Sequence, residues 1–181
     1  VRSNGSFAAS RASIIEGNIK SHDSSIRVVD ARIDDDVDAK QSININVLSN
    51  ESYVFNSYVS VGGTVKSSDN SIRIINANIT EDVDAKQSVN INELSNGAYV
   101  PNSDVSVGGK VKSSDNSIRI LNATVTDEVD AKLSVNINVL NNGTYATNTR
   151  TEVGGQVVSR DESVRLVSTN VTDNVIAKKA I

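Results

Sequence analysis

The segment of residues 61–106 reads VGGTVKSSDNSIRIINANITEDVDAKQSVNINELSNGAYVPNSDVS, and residues 107–152 repeat it with 30 identities in 46 positions and no gap. Residues 15–60 are a more diverged copy of the same unit, and residues 153–181 are a fourth copy that covers its first 29 positions. A repeat of this length is typical of chains in which similar supersecondary units stack on one another and bury a shared core. The repeat therefore decides the fold class before any single residue is interpreted.

The first 14 residues match the end of a repeat rather than its beginning. Val1, Ser3 and Asn4 stand where the first full copy has the same residues 46 positions later, and Phe7 stands where that copy has Tyr53. We therefore expect one array over residues 1–181. It divides into a partial repeat at 1–14, full repeats at 15–60, 61–106 and 107–152, and a partial repeat at 153–181 that residues 1–14 complete.

Two closures would let residues 1–14 complete the last repeat. The segment pairs either with its own chain, as in the closing blade of a propeller, or with the next molecule, which gives a head-to-tail polymer. Both ends are ordinary repeat sequence without a polar capping unit, and exposed strand edges favour the polymer. The start at Val-Arg-Ser, without Met, predicts a processed, secreted protein at the cell surface or outside the cell.

Each unit is predicted to consist of β-strands, because Val and Ile outnumber Leu and no segment has the apolar spacing of an amphipathic helix. In the second copy we expect four strands of about 7–12 residues, at 61–67, 71–80, 83–94 and 98–106. The alternation slips between Ile74 and Ile75, which indicates a bulge or a strand buried on both faces. Asn96-Gly97 predicts a type I′ hairpin turn. The fold class is all-β: tandem 46-residue repeats of about four strands, in stacked or laterally continued sheets of solenoid or sandwich type, completed between subunits.

Several residues recur at one position in every copy. These sets are Gly17, Gly63, Gly109 and Gly155; Asp23, Asp69, Asp115 and Asp161; Arg27, Arg73, Arg119 and Arg165; and Lys40, Lys86, Lys132 and Lys178. The glycines predict backbone freedom or close approach, and the aspartates predict side-chain bonds to the backbone of their own turn. Like charges stacked at the strand spacing of about 4.8 Å would repel. One unit is therefore expected to span more than one strand layer.

Asparagines recur in pairs two residues apart on one strand. The pairs are Asn44 with Asn46, Asn90 with Asn92, and Asn136 with Asn138. If the units stack in register, each set forms a ladder of side-chain amides of the kind that helps hold cross-β stacks together. The ladders are predicted to secure the register between units.

The composition excludes several classes of function. The chain has no Cys, which removes disulfide scaffolds, zinc ribbons and thiol enzymes. The net charge of −4 argues against a nucleic-acid partner, and no apolar run reaches the roughly 18 residues that a membrane-spanning helix needs. His22, the one histidine, is confined to a single copy and is expected to be incidental surface. We expect no enzyme activity and no cofactor.

Acidic clusters at the second turn of each unit are weak candidates for calcium, which takes oxygen ligands. The candidates are Asp36, Asp38, Asp82, Asp84, Asp127 and Asp130. Neither an EF-hand loop nor the glycine-rich nonapeptide repeat is present, so a solvated turn is the favoured interpretation. Asn-x-Ser/Thr sequons would accept glycans in a glycosylating cell. They stand at Asn4, Asn50, Asn78, Asn122, Asn142 and Asn170.

The chain resembles repetitive extracellular β-proteins of the functional-amyloid type, which include curli-like biofilm fibres and archaeal sheath proteins. The resemblance rests on Asn/Ser/Val/Ile-rich copies, Asn-Gly turns, the paired asparagines of NIN, no Cys and one Pro. The regularly spaced Gln and Asn of the curli signature are not matched. In style the chain is similar to an amyloid-like major sheath protein of a methanogenic archaeon, which implies a tough tubular cell envelope built from one subunit.

The function that these features predict is mechanical: an extracellular structural subunit that assembles through β-strand pairing into a filament, tube or sheath. The residues expected to make the assembly contact are Val1, Ser3, Asn4 and Phe7 at one end, and Lys178 and Ile181 at the other. The partner is a second copy of the chain. The alternative is a closed propeller-like or solenoid binding module, a lectin or adhesin, that uses the repeated turns as ligand sites.

Overall fold

The chain folds into short parallel β-strands that wind into a solenoid. The computed structural model describes residues 12–181, and these contain 23 strands of three residues each and no helix. The strands form three parallel sheets, and consecutive strands along the chain pass from one sheet to the next. The predicted all-β repeat fold of solenoid type is confirmed.

In chain order the strands are β1 Ser13–Ile15, β2 Ile19–Ser21, β3 Ile26–Val28, β4 Ala31–Ile33, β5 Val37–Ala39, β6 Ile43–Ile45, β7 Val59–Val61, β8 Val65–Ser67, β9 Ile72–Ile74, β10 Ala77–Ile79, β11 Val83–Ala85, β12 Val89–Ile91, β13 Val105–Val107, β14 Val111–Ser113, β15 Ile118–Ile120, β16 Ala123–Val125, β17 Val129–Ala131, β18 Val135–Ile137, β19 Thr151–Val153, β20 Val157–Ser159, β21 Val164–Leu166, β22 Thr169–Val171 and β23 Val175–Ala177. Sheet A runs β1-β4-β7-β10-β13-β16-β19-β22, sheet B runs β2-β5-β8-β11-β14-β17-β20-β23, and sheet C runs β3-β6-β9-β12-β15-β18-β21.

One passage of the chain through sheets A, B and C is a coil, and the coils alternate between two lengths. Successive strands of sheet A begin at Ser13, Ala31 and Val59, so a coil of 18 residues is followed by one of 28. Together they make up the 46-residue period. Each repeat therefore spans two strand layers, as the repulsion between stacked like charges predicted.

The expectation of four strands of about 7–12 residues per repeat is wrong. Each expected strand turns a corner, so residues 71–80 contain both β9 and β10, and residues 83–94 contain both β11 and β12. The alternation of buried and outward residues continues through the corner between β11 and β12, because Ala85 and Val89, both fully buried, are four positions apart. The slip after Ile74 is not a bulge: it is the place where the chain leaves sheet C for sheet A.

The three sheets enclose one apolar core. In most strands the first and third residues are buried and the middle residue faces outward, as in β9, where Ile72 and Ile74 are buried and Arg73 is not. One continuous cluster of Val, Ile and Ala from all three sheets fills the interior. Such β-branched side chains suit short pleated strands. Because a single coil buries little surface, each coil depends on its neighbours to cover its edges.

A column of residues with positive φ forms the corner that follows sheet C. Its members are Asp30, Asn46, Asn76, Asn92, Asn122, Asn138 and Ser168, with φ between 46° and 58°. Asn and Asp enter this left-handed region more readily than other non-glycine residues. The second asparagine of each NIN motif is therefore a corner residue of the long coil.

Close approach between coils explains the Gly-Gly step. A Cβ on Gly108 would lie 2.1 Å from the carbonyl oxygen of Thr80, and one on Gly109 would lie 2.1 Å from a carboxylate oxygen of Asp82. The close approach predicted for this glycine set is confirmed at Gly63, Gly109 and Gly155. At Gly17, in the first coil, nothing lies within 4 Å, and φ is +144°.

The additional residues of each long coil form a protruding loop at the corner between sheets C and A. The three loops, residues 46–58, 92–104 and 138–150, form a ridge along the solenoid, since Ser95 contacts Glu51 and Gly97 lies against Asn141. The ridge packs on a second small core that includes Ile75 and Val100. It contains every aromatic residue of the described chain, and Phe55 is 81% exposed.

The Asn-Gly turn lies in this ridge but is not of type I′. An antiparallel bridge joins Glu93 to Tyr99, and the Gly97 amide donates to the Leu94 carbonyl at 2.9 Å. Gly97 has φ +83°, whereas Asn96 does not have positive φ. The turn is therefore a type I turn followed by a left-handed residue, a geometry that needs glycine at one position only.

Candidate functional site

The surface consists of three strips of strand centres, which we call faces A, B and C after their sheets. Face A presents Ser60, Asn78, Ser106 and Thr124 in its central coils. Face B presents alternating Lys and Asp, and face C presents alternating Arg and Asn. Each face thus has its own chemistry, repeated every second strand.

On face B, each cation lies beside an acid of the neighbouring coil. Lys20 is paired in register with Asp38, and their side chains are 2.9 Å apart. Lys66, Asp84 and Lys112 continue the alternation. The pattern ends in the last two coils, where Val158 and Ile176 stand at the strand centres and Ile176 is 48% exposed.

On face C, arginine and asparagine take turns along the stack. Arg73 lies in register with Asn44 on one side and Asn90 on the other. The interpretation of Asn44, Asn90 and Asn136 as an uninterrupted amide ladder is therefore wrong, because an arginine separates each from the next. The alternation keeps like charges two strands apart, which is the physical reason why each repeat contains two different coils.

A row of serines accompanies the arginines and is not among the residues predicted from the sequence. Its members are Ser25, Ser42, Ser71, Ser88, Ser117, Ser134 and Ser163, one immediately before each strand of sheet C. Ser117 and Ser134 hydroxyls lie 3.0 Å apart, and Asn136 donates to Ser134 at 3.3 Å, so the row shares face C. The sequence does indicate this row, because Ser-Ile-Arg at residues 71–73 recurs as Ser-Val-Asn at residues 88–90.

One buried acid interrupts the positive charge beside face C. Glu93 is 2% exposed, and a guanidinium nitrogen of Arg119 donates to both of its oxygens, at 3.0 and 2.8 Å. Burial raises the pKa of the Glu93 carboxyl, although the bonds from Arg119 and the charge of Arg73 act in the opposite direction. Val47 and Val139 occupy this position in the other copies, so the pair belongs to one repeat.

The second asparagine of each NIN motif is buried and bridges three coils. The Asn92 amide nitrogen donates to the carbonyl oxygens of Leu121 and Asn122, each at 2.9 Å. Its oxygen accepts the amide of Asn76 at 3.2 Å. Asn46 and Asn138 bond in the same way. These asparagines fix coil on coil through backbone groups rather than by stacking on one another.

Four of the six calcium candidates, Asp36, Asp38, Asp82 and Asp130, already have partners. One carboxylate oxygen of Asp36 accepts the amide of Thr64, and that of Asp82 accepts the amide of Lys110, both at 2.7 Å. Arg160 binds Asp130 through two nitrogens. Residues 12–181 contain no group of three or more His, Cys, Asp or Glu arranged to hold a metal ion. Asp36 and Asp82 therefore accept backbone N–H groups that follow the Gly-Gly step, and Asp130 pairs with a cation.

The recurring Asp and Lys residues form bridges between neighbouring coils. Lys178 donates to Asp161 at 2.9 Å and lowers the pKa of that carboxyl. The predicted bond from the aspartate to its own turn is wrong: a serine two positions earlier caps the turn, as Ser67 does by accepting the amide of Asn70 at 3.2 Å. His22 is exposed, as expected of incidental surface.

Two sequons lie on the exposed ridge. At Asn50 and at Asn142, the side-chain oxygen accepts both the amide and the hydroxyl of the Ser or Thr two residues later. Asn122 is a corner residue whose amide nitrogen donates to the carbonyl of Ser103 at 2.8 Å. The fold thus gives the sequons different accessibility.

The two ends of the described array present strands with a single neighbour each. In sheet A these are β1 and β22, and in sheet B they are β2 and β23. The sheets are open stacks over residues 12–181 and do not close into propeller blades. Ile181 is 76% exposed beside the end of sheet C. Val1, Ser3, Asn4 and Phe7 lie outside the described residues.

Comparisons of the chain with models of protein families, with curated proteins and with solved structures give no match. Across residues 12–181, there is no helix of the length and apolarity required to span a membrane.

Proposed function

We propose that the protein is an extracellular structural subunit that assembles end to end, so that the coils of one molecule continue on the next. The assembly is a filament, tube or sheath whose strength comes from backbone pairing along three sheets. The interaction needs no cofactor and no second kind of protein. The resemblance to functional-amyloid and sheath proteins agrees with this role.

The observation that carries the proposal is the type of strand at each end. In sheet A, β22 has the repeat position of β10, whose next neighbour is β13. At the other end, β1 has the repeat position of β13. In sheet B, β23 corresponds to β11 and β2 corresponds to β14, which are neighbours within the chain. The last coil therefore has the edge that the first coil is built to pair with.

The register of the joint follows from the interior pairs. Ala77 pairs with Val105 and Val83 pairs with Val111, so Thr169 should pair with Ser13 and Val175 with Ile19 of the next copy. Sheet C needs one additional strand at the joint, since β21 has the position of β9, which pairs next with β12. Ile181 stands at the first position of such a strand, and residues 1–14 carry the sequence that follows one.

A proline at the edge tests this pairing directly. In interior coils the amide of Val83 donates to the carbonyl of Lys110 in the next coil at 2.8 Å, and Val175 has the same position in the last coil. Val175→Pro removes this donor. Val175→Ala is the matched control, because it shortens the same side chain and keeps the N–H.

We expect the wild type and Val175→Ala to form assemblies as concentration rises, and Val175→Pro to remain monomeric, when the mass is measured by light scattering. Circular dichroism checks that all three fold. Assembly of Val175→Pro at the same concentration as Val175→Ala would contradict edge pairing. A wild type that stays monomeric at every concentration would remove the structural role.

A further inference from the structure

We propose that face C is a binding site for a linear acidic polysaccharide, a partner that end-to-end assembly does not require. Its outward positions comprise seven serines, the four arginines Arg27, Arg73, Arg119 and Arg165, and three asparagines, with no acid among them. The chain as a whole has a net charge of −4. Face C is therefore a strip of arginines without acids at its own outward positions, on a molecule that is acidic as a whole, and such a strip attracts anions locally.

The arginines are available to a ligand. Among the described residues, the arginines that form an ion pair within 4.0 Å are Arg32, Arg119, Arg150 and Arg160. Of these four, only Arg119 lies on face C. Arg27 and Arg165 are exposed, and Arg73 is half-buried. By contrast, the lysines of face B each lie beside a carboxylate of the neighbouring coil. Arg27 and Arg165 are thus exposed cations without an ion pair among the described residues, whereas Arg119 is paired with Glu93 and the charge of Arg73 also acts on that carboxylate.

The shape of the site favours an extended polymer. Successive arginines of sheet C are two strands apart, which is about 9.6 Å at the usual strand spacing. From Arg27 to Arg165 the row covers six strand intervals, or roughly 29 Å. The ridge borders the strip on one side, and the Arg119 guanidinium lies 3.3 Å from the side-chain oxygen of Asn141 in the third loop. An extended polymer with a negative charge at least about every 9.6 Å would place a charge near each arginine.

A notch at the third repeat has the polar lining that such a ligand needs. It has a volume of about 270 Å³ between Arg119 and Arg165, with Asn136 between them. Its other lining residues are Ser134, Leu140, Asn141, Glu162 and Ser163. Hydroxyl and amide groups donate to and accept from sugar hydroxyls, and the guanidinium binds carboxylate or sulfate in a planar, two-point geometry.

Sugars suit the site better than nucleic acid does. Single-stranded nucleic acids need aromatic platforms on which bases stack, and the outward positions of face C contain no aromatic residue. All aromatic side chains of the described residues lie in the loops of the ridge. Serine and asparagine between the arginines match the hydroxyl groups of a polysaccharide instead.

The test compares two double variants that change the net charge equally. Arg73→Gln with Arg165→Gln removes two cations from face C, and Lys66→Gln with Lys112→Gln removes two from face B. The probes are oligosaccharides of alginate, whose anionic groups are all carboxylates, and of heparin, which carries sulfates in addition to carboxylates. Dextran is the neutral sugar, and oligo(dT) is the nucleic acid. Binding is measured by calorimetry at low salt, after circular dichroism has checked the fold of each variant.

We expect the wild type to bind at least one acidic oligosaccharide and not dextran, with affinity that falls as salt is added. The face C variant should lose at least about tenfold in affinity, because charge-assisted hydrogen bonds are stronger than neutral ones, and the face B variant should lose less than about twofold. Equal losses in both variants, no binding of either acidic sugar, or tighter binding of oligo(dT) would overturn the proposal. If the face C variant does not fold, Arg27→Gln with Arg165→Gln, both exposed positions, takes its place.

Discussion

Replacement of Asn92 should be among the most damaging single changes in the array. The side chain is fully buried at a corner with φ +57°, and it makes three hydrogen bonds to backbone groups of the coils on either side. Asn92→Ala removes all three bonds and leaves their partners buried without replacements. Alanine, unlike asparagine, also lacks a side chain that can form a hydrogen bond to compensate for the left-handed backbone conformation.

The expected loss follows from these terms. Three bonds at about 1 kcal/mol each contribute roughly 3 kcal/mol, and left-handed backbone without compensation adds about 1–2 kcal/mol. Asn92→Ala should therefore reduce the free energy of unfolding by about 4–5 kcal/mol. Asn92→Gly loses the bonds but tolerates the backbone conformation, so it should cost about 1 kcal/mol less than alanine does.

The matched control lies two residues away. Asn90 is the centre of β12, faces outward and is half-buried, and Asn90→Ala should cost less than about 1 kcal/mol. The assay is urea unfolding of the three variants and the wild type by circular dichroism, at a concentration where each is monomeric. A cost below 1 kcal/mol for Asn92→Ala, or equal costs at positions 90 and 92, would refute the assignment of this asparagine as the bond between coils.

Three further predictions follow from other contacts. Gly108→Ala should lower the free energy of unfolding by about 1–3 kcal/mol or more, because its Cβ would lie 2.1 Å from a backbone oxygen of Thr80. Gly143→Ala has open space around the new Cβ but φ +82°, so it should cost only about 1 kcal/mol in the same urea assay. Burial raises the pKa of Glu93, so the folded state holds this proton more tightly than the unfolded state does, and the stability that Glu93 contributes is lost as pH rises through the raised pKa. Glu93→Gln should therefore gain stability relative to wild type as pH rises from about 4 to 8, and a relative loss over that range would contradict this. Deletion of residues 1–14 should leave a chain with a wild-type circular dichroism spectrum that does not assemble in electron micrographs, and unchanged assembly would rule out a role for this segment.

The sequence was sufficient to predict the class of fold. The 46-residue period, the excess of Val and Ile and the absence of helical spacing all follow from the need to stack strands on a shared core. The repulsion between recurring arginines also predicted correctly that a repeat spans more than one layer. The register of Arg73 between Asn44 and Asn90 confirms this expectation.

The lengths of the strands could not be predicted because period-two alternation does not stop at a corner. Ala85 and Val89 keep the same phase although they belong to different sheets, so two short strands look like one long strand. The corner after sheet C is marked by Asn76 and Asn92, but the positive φ of these residues is only one of several roles that asparagine takes. Half-repeat similarity was limited to the short motif of Ser, an aliphatic residue and Arg or Asn.

The candidate sites were predictable to different degrees. The recurring Arg and Lys positions were visible in the sequence, but their placement on separate faces depends on how many residues separate sheets B and C. Glu93 could not be recognised as a buried partner of Arg119, because the loop that brings it there has valine at that position in the other copies.

The central claim is that coils continue from one molecule to the next, and cryo-electron microscopy of the wild-type chain at high concentration tests it most directly. Eight coils at about 4.8 Å each give a subunit rise of roughly 38 Å. We predict filaments or tubes whose power spectrum contains both a 4.8 Å reflection from the strands and a reflection near 38 Å from the subunits. Discrete particles about 38 Å long, with no filaments at any concentration, would contradict the claim.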